Sequence, residues 1–225
     1  MTVLHLADET EAADLAAFLS RLLHYDRGAA VRLQAAGTAL AVFGRPPSFE
    51  VLAVRAVRLE KPYEDGLDAT LDVTVSAGEF LESLDERGAT AAVPAAVTGP
   101  PWAGVLPPRG GWRAEPGLPA PDALRATVAA AVTEFRSRTE ELAPDGRTRA
   151  ELDRIGRDIW SREIGRTGLP VRAVHAAQSL GFLRPGADPA GTALYSSGAW
   201  LRLRTPYGSV AVRRSGLGPL GVSVR

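Results

Sequence analysis

The segment that most constrains the fold is residues 152–214, where the spacing of apolar residues changes from that of a helix to that of a strand. Apolar side chains recur three and four positions apart over residues 152–164 and again over residues 170–180, which predicts two helices joined by a short turn. Residues 200–213 alternate apolar and polar side chains around the turn sequence TPYG. We therefore expect two helices followed by a β-hairpin that carries several arginines.

Two further signals extend this helical region toward its N-terminal side. Residues 122–142 carry an apolar stripe at helical spacing, and the breaker sequence PDG follows them. Thr148, with Glu151 three residues later, matches the capping-box pattern for the next helix. Residues 122–225 are therefore interpreted as a helical unit of three helices with a basic β-hairpin.

Residues 1–96 have a different pattern, in which helices and strands are mixed. Asp8 and Glu11 have the spacing of a helix cap, an apolar stripe follows them, and Ser76 is expected to cap a second, short helix. Strands are predicted at residues 2–6, 30–34, 38–43, 49–59 and 67–75. Because the connections are short, the pairing should be mostly antiparallel, and we interpret this region as an acidic α+β unit.

Residues 97–121 contain too many prolines and glycines for regular structure and are interpreted as a linker or a long ordered loop. Trp102 and Trp112 favour order, because large aromatic side chains are usually buried. We expect both indoles to anchor the loop to a domain, with a ligand groove as the alternative. The whole chain is thus predicted to be an α+β protein.

Composition excludes several kinds of chemistry. The chain of 225 residues is 45% apolar and has no cysteine, so it can bury a large core but has no disulfide, thiolate metal site or cysteine nucleophile. With Lys61 as the only lysine, the P-loop motif is impossible. His5, His24 and His175 lie far apart in the sequence, so only a metal site assembled by the fold remains open, and we interpret them as ordinary surface or core histidines. We predict no metal and no cofactor.

Two other groupings have simpler interpretations than a catalytic or metal site. Four acids before and within the strand predicted at residues 67–75 lack the spacing of a calcium loop and are interpreted as a solvated face: Glu64, Asp65, Asp68 and Asp72. Ser196 or Ser197 would need His175 and a carboxylate to act as a nucleophile, and no GxSxG motif is present. We predict no catalytic residue and favour a non-enzymatic role, with a hydrolase of unfamiliar type as the alternative.

The net charge of zero hides a strong gradient along the chain. Residues 1–144 hold 13 basic and 20 acidic side chains, whereas residues 145–225 hold 13 basic and 6 acidic side chains. Such halves can pack on each other or on a neighbouring copy, or the basic half can bind a polyanion. The first eleven residues lack the basic region of a secretory signal, and no apolar run reaches the length of a membrane span. We expect a cytoplasmic protein that does not associate with membranes.

The sequence WSREIGRTGLPVRAVHAAQSLGFL, followed by the hairpin, resembles the helix pair and wing of winged-helix domains. The resemblance implies that the helix from Pro170 enters the major groove of DNA, with Arg172 and Gln178 near base edges. The wing would then place four arginines along the phosphates: Arg202, Arg204, Arg213 and Arg214. The alanine-rich side of the same helix favours burial instead.

The patterns LPxxAxxAxxxLGFL and GxWLRLxTPxGxVxVR are also similar to uncharacterised actinobacterial proteins, which implies no activity. Two function hypotheses follow. The first is a non-catalytic interaction protein that binds a protein partner or a second copy of itself through complementary acidic and basic surfaces. The second is a winged-helix nucleic-acid-binding regulator. The residues expected to bind the partner or nucleic acid are Arg172, Gln178, Trp200, Arg202, Arg204, Arg213 and Arg214.

Overall fold

The computed structural model describes residues 2–60, 71–186 and 188–214, and its fold is α+β, as the sequence predicts. Five α-helices occur in this part of the chain: α1 Glu9–Tyr25, α2 Ala77–Glu82, α3 Pro121–Glu140, α4 Arg149–Trp160 and α5 Val171–Ser179. Three predicted helix caps are confirmed, because the side chains of Asp8, Ser76 and Thr148 each accept a hydrogen bond from the backbone N–H three residues later.

The described residues form eleven strands, all paired antiparallel. Their bounds are β1 Val3–His5, β2 Ala30–Ala36, β3 Ala39–Gly44, β4 Leu52–Arg58, β5 Asp72–Ser76, β6 Leu84–Asp85, β7 Thr90–Ala92, β8 Arg113–Glu115, β9 Ala193–Ser197, β10 Trp200–Thr205 and β11 Gly208–Arg213. A small sheet has the order β1-β7-β6, and a large sheet has the order β5-β2-β3-β4-β11-β10-β9-β8. The large sheet therefore runs through both halves of the chain.

Several strands differ from the prediction for physical reasons. The run predicted at residues 49–59 becomes a strand only from Leu52, because Ser48 and Glu50 adopt left-handed backbone with φ of 73° and 53°. Strands β6, β7, β8 and β9 are not expected from the sequence, since they are short or lack a clear apolar alternation. Of the run predicted at residues 67–75, residues 67–70 lie outside the described part of the chain.

One side of the large sheet, which we call the helix face, carries the hydrophobic core. Alternate residues of β2, β3, β10 and β11 point toward this face and are at most 2% exposed: Val31, Leu33, Leu40, Val42, Leu201, Leu203, Val210 and Val212. Helices α1 and α5 cover them, and α3 and α4 pack outside α5. The predicted hairpin is β10 and β11, and its turn needs Gly208, because an added Cβ would lie 2.6 Å from Cε1 of Phe182.

A buried ion-pair network joins α1 to the sheet. Arg55 of β4 is 5% exposed, donates to Glu11 Oε2 at 2.9 Å and to the Tyr207 carbonyl at 2.8 Å, and lies 3.4 Å from Asp14 Oδ2. Arg184 donates to Asp14 from the C-terminal half at 2.7 Å. Oppositely charged residues of the two halves thus neutralise each other within one chain.

A row of aromatic rings crosses the helix side from one half to the other. Trp160 of α4 contacts Phe135 of α3 and stacks on His175 of α5, whose ring centre is 4.7 Å away. His175 in turn meets the edge of Phe49, which meets Tyr25 of α1 at a ring-centre distance of 5.4 Å. Burial lowers the pKa of His175 from its ordinary value, so the neutral imidazole is the form that fits this row.

We predict that Arg55→Met destabilises the protein by about 3 kcal/mol, the lower end of the range for breaking a buried ion pair, because Arg58 and Arg184 still pair with the two carboxylates. Arg58→Met is the matched control, since the Arg58 side chain is 70% exposed and makes similar pairs, and it should destabilise the protein much less than Arg55→Met. Urea unfolding measures both changes. Equal losses in the two variants would contradict the assignment of Arg55 as the buried centre of this network.

We also predict that His175 makes stability fall as the pH is lowered. Its folded pKa lies below its unfolded value of 6.5, so below that value the unfolded chain binds a proton that the folded chain excludes. His175→Phe keeps an aromatic ring in the row but cannot titrate. The stability of the wild type relative to this variant should be constant above about pH 7.5 and should decline toward about pH 5. Urea unfolding at several pH values measures the difference, and parallel pH curves would refute the prediction.

Candidate functional site

The segment predicted as a Pro/Gly/Trp loop lies across the side of the large sheet opposite the helices, which we call the loop face. At one edge of the sheet, the Val97 N–H donates to the Thr74 carbonyl at 2.9 Å, next to β5. Arg32 of β2 donates to the Ala103 carbonyl further along the loop. At the other edge, Ser197 Oγ of β9 donates to the Gly110 carbonyl at 3.3 Å, and the chain then enters β8. Residues 97–112 therefore cross the whole sheet.

The two tryptophans of this loop have different roles. Trp112 donates from Nε1 to the Pro108 carbonyl at 2.9 Å and lies beside Arg202, with 5.7 Å between its ring centre and the guanidinium carbon. It thus anchors the loop to β10. Trp102 is half-buried and lines a cleft. Both interpretations of the pair, as anchors and as groove residues, are represented in the structure.

The cleft beside Trp102, which we call the junction cleft, has a volume of ≈ 460 Å³. Leu52 of β4 and Ala211 of β11, which pair across the centre of the sheet, lie in its floor. Trp102 and Trp200 line it, together with the charged residues Arg45, Glu50, Arg172 and Arg213. Apolar floor, indole rings and guanidinium groups are the surface types that dominate binding energy at protein interfaces.

The charges of the junction cleft are unbalanced. Arg172 Nε is buried, has no hydrogen bond, and lies 3.7 Å from Glu50 Oε2. The Arg213 guanidinium lies 5.2 Å from the ring centre of Trp200 and is exposed. Arg45 is exposed and makes no ion pair with any described residue. With three arginines and one glutamate, the cleft carries a formal charge of +2 and favours an anionic ligand.

Backbone strain holds the single acid of this cleft at its rim. Ser48 and Glu50, both non-glycine residues with positive φ, flank Phe49. Phe49 is 8% exposed and is held in the aromatic row between Tyr25 and His175. Such strain persists only where the surroundings fix the conformation, and it concentrates at functional sites. The buried ring of Phe49 therefore orients the exposed carboxylate of Glu50 toward Arg172.

Only part of the predicted binding set converges on one place. Arg172, Trp200 and Arg213 meet in the junction cleft. The other four lie elsewhere: Arg214 pairs with Glu115 at 2.8 Å, Arg204 is exposed on β10, Arg202 is half-buried under the loop, and Gln178 has a buried Oε1 without a hydrogen bond. Sequence reasoning did not identify Arg45, Glu50 and Trp102 as their neighbours, since these come from the other half of the chain.

The alternative sites weighed from the sequence are not assembled in the described residues. Ser197 donates a hydrogen bond to the loop, whereas His175 lies in the aromatic row, stacked on Trp160. No group of three or more histidine and acidic side chains that could hold a metal occurs within residues 2–60, 71–186 and 188–214. Asp72 pairs with Arg32, and Glu64, Asp65 and Asp68 lie outside the described part. No described helix is both long enough and apolar enough to span a bilayer.

Comparisons with known proteins divide the chain at the loop. Residues 1–104 match the family model described as Domain of unknown function (DUF8010), and residues 107–217 match the one described as Domain of unknown function (DUF8185). No curated protein matches the chain. The junction cleft takes Arg45, Leu52 and Trp102 from the first matched segment and Arg172 and Arg213 from the second. The chain is thus similar to two families of domains of unknown function, one in each half, and the candidate site is formed where they meet.

Proposed function

We propose that this protein is a non-catalytic, cytoplasmic interaction protein that binds an acidic segment of a protein partner in the junction cleft. The observation that carries the proposal is the convergence of three arginines and two indoles around an apolar floor, with Glu50 as the only acid among the lining residues. An arginine fork binds a carboxylate through two parallel hydrogen bonds, and indoles supply large apolar contacts beside it.

The chemistry of the lining groups supports binding rather than catalysis. Arginine stays protonated in proteins and therefore does not act as a general acid or base near neutral pH. The Glu50 side chain is 72% exposed, which is unlike the desolvated carboxylates that serve as general acids or bases. Fixed positive charge combined with a shaped apolar floor instead favours a segment with alternating acidic and apolar residues.

The ion pairs within the chain help to decide whether the partner is a different protein or a second copy of this one. Asp14 already pairs with Arg184, and Glu50 with Arg172, so the opposite charges of the two halves are partly neutralised within the chain. At the junction cleft, by contrast, Arg45 and Arg213 make no ion pair with any described residue. This local excess of positive charge favours an acidic segment, which we place on a distinct partner rather than on a second copy. Light scattering separates the two cases, because the monomer has a mass of 23.7 kDa.

A winged-helix regulator is the second candidate, favoured by the exposed arginines of the hairpin, Arg204, Arg213 and Arg214. Two features of the structure weigh against this candidate and in favour of the first proposal. Five of the nine residues of α5 are buried beneath α3 and against the sheet, which leaves little of that helix for a DNA groove. The hairpin is flanked by β4 and β9 rather than free as a wing.

We predict that the double variant Arg45→Gln/Arg213→Gln loses its protein partner. Immobilised wild-type protein is incubated with a lysate, and the similarity of the C-terminal patterns to actinobacterial proteins makes an actinobacterial lysate the appropriate source. Mass spectrometry quantifies the captured proteins. Loss of two charge-assisted hydrogen bonds should reduce capture at least about 10-fold. Arg87→Gln/Arg204→Gln removes the same charge outside the cleft and should retain the partner. Equal capture by both variants would refute the proposed site.

We further predict only weak binding of duplex DNA at about 0.15 M salt, because α5 presents little surface to a groove. Fluorescence anisotropy with a random-sequence duplex measures this. The winged-helix candidate requires tight binding that falls steeply with salt and with Arg204→Gln/Arg213→Gln. Observation of both effects would favour that candidate over the first.

A further inference from the structure

A second cleft lies on the loop face, and the proposed function does not use it. This loop-face cleft has a volume of ≈ 680 Å³, within the range of small-molecule sites. Phe43 and Val54, which pair across β3 and β4, form an apolar floor, and Leu106 and Pro107 of the crossing loop form a wall. Arg202 of β10 also lines it.

Arg202 is half-buried in this cleft without a carboxylate to balance its charge. Its Nε donates to Ser209 Oγ at 2.9 Å, and no acid of the described residues lies within ion-pair distance. Burial lowers the pKa of Arg202, and repulsion from the neighbouring Arg204 lowers it further. The ring of Trp112 borders the guanidinium on the loop side. A partly desolvated positive charge is therefore held in place by neutral neighbours alone.

The opposite end of the same cleft shows how this fold balances such a charge internally. Arg32 of β2 faces the cleft and donates hydrogen bonds to both carboxylate oxygens of Asp72, at 2.7 Å and 2.9 Å. Gln34 adds a third hydrogen bond to that carboxylate at 3.0 Å. Arg109, which is exposed, is the remaining charged residue of the lining. Three arginines and one aspartate give the cleft a formal charge of +2, and the unbalanced part includes Arg202.

We propose that the loop-face cleft binds a small organic anion whose apolar body lies on Phe43 and Val54 and whose acidic head group pairs with Arg202. The head group pairs with Arg202 in the same way as the Asp72 carboxylate pairs with Arg32. Apolar contact supplies affinity, and the guanidinium selects a charged ligand over a neutral one of the same shape. This site is separate from the junction cleft, because the lining residues of the two do not overlap.

A matched pair of fluorescent probes tests the proposal. 8-Anilinonaphthalene-1-sulfonate has an apolar aromatic body and one sulfonate, and N-phenyl-1-naphthylamine has the same body without the charge. Both are titrated into the full chain carrying Arg45→Gln/Arg213→Gln, which removes two cations from the junction cleft. We expect the sulfonate to bind at least about 10-fold more tightly than the amine. Arg202→Gln should abolish this preference, and Arg202→Lys should restore part of it.

Two controls keep the result interpretable. Arg204→Gln removes a neighbouring exposed arginine that does not line the cleft, and the preference should persist. Phe43→Ala should weaken both probes to a similar extent, since it alters only the apolar floor. Unchanged preference in Arg202→Gln, equal affinity for the two probes, or binding of neither probe would each overturn the proposal.

The indole resonances locate the bound probe independently. In a ¹⁵N-edited spectrum, the Trp112 indole N–H reports on the loop-face cleft through its hydrogen bond to Pro108, a lining residue. Trp102 and Trp200 report on the junction cleft. Binding of the sulfonate should shift the Trp112 resonance most. A shift confined to Trp102 and Trp200 would place the anion in the junction cleft and refute the proposal, without deciding whether that cleft binds an acidic protein segment.

Discussion

The pairing of β4 with β11 is the contact on which the rest of the structure depends. Three residue pairs join the strands, Leu52 with Ala211, Ala53 with Val210, and Val54 with Ser209. They merge four strands of the N-terminal half and four of the C-terminal half into one sheet. Because the pleat alternates, the same three pairs contribute to both faces of the sheet. Ala53 and Val210 enter the core under the helices. Leu52 and Ala211 lie in the floor of the junction cleft, and Val54, which pairs with Ser209, lies in the floor of the loop-face cleft. A single line of hydrogen bonds therefore sets the core and the candidate sites together.

A sheet of this width needs cover on its second face. Seven strand spacings of about 4.8 Å make it roughly 34 Å wide, and helices lie only on the other side. One extended loop crosses this distance but is too narrow to cover a surface of that size, so apolar floor remains open beside it. Proline limits the entropy that the loop loses on ordering, and Trp112 fixes its far end through Pro108 and Arg202. The clefts thus follow from covering a broad sheet with a single segment of chain.

Local features of the sequence predicted most of the secondary structure, whereas long-range pairing could not be predicted. The caps at Asp8, Ser76 and Thr148 and the hairpin of β10 and β11 are encoded within a few residues, and all are present. No such signal links β4 to β11, which are more than 150 positions apart, so the shared sheet was not foreseen. The candidate site shows the same division. The basic hairpin indicated Trp200 and Arg213, but their neighbours Arg45 and Trp102 reach the cleft only through the tertiary fold.

The arginines of this protein are best distinguished by what balances their charge. Arg55, almost fully buried, has two acids of α1 and a carbonyl of the hairpin turn, and its role is to hold the halves together. Arg32 has Asp72, and together they form one end of the loop-face cleft. Arg202 is half-buried and has only Ser209 and Trp112 beside its guanidinium. The chain therefore bears a desolvation cost there that its own residues do not offset. A fold can retain such a cost where a ligand offsets it, because anything that binds only the native state stabilises that state in proportion to its occupancy.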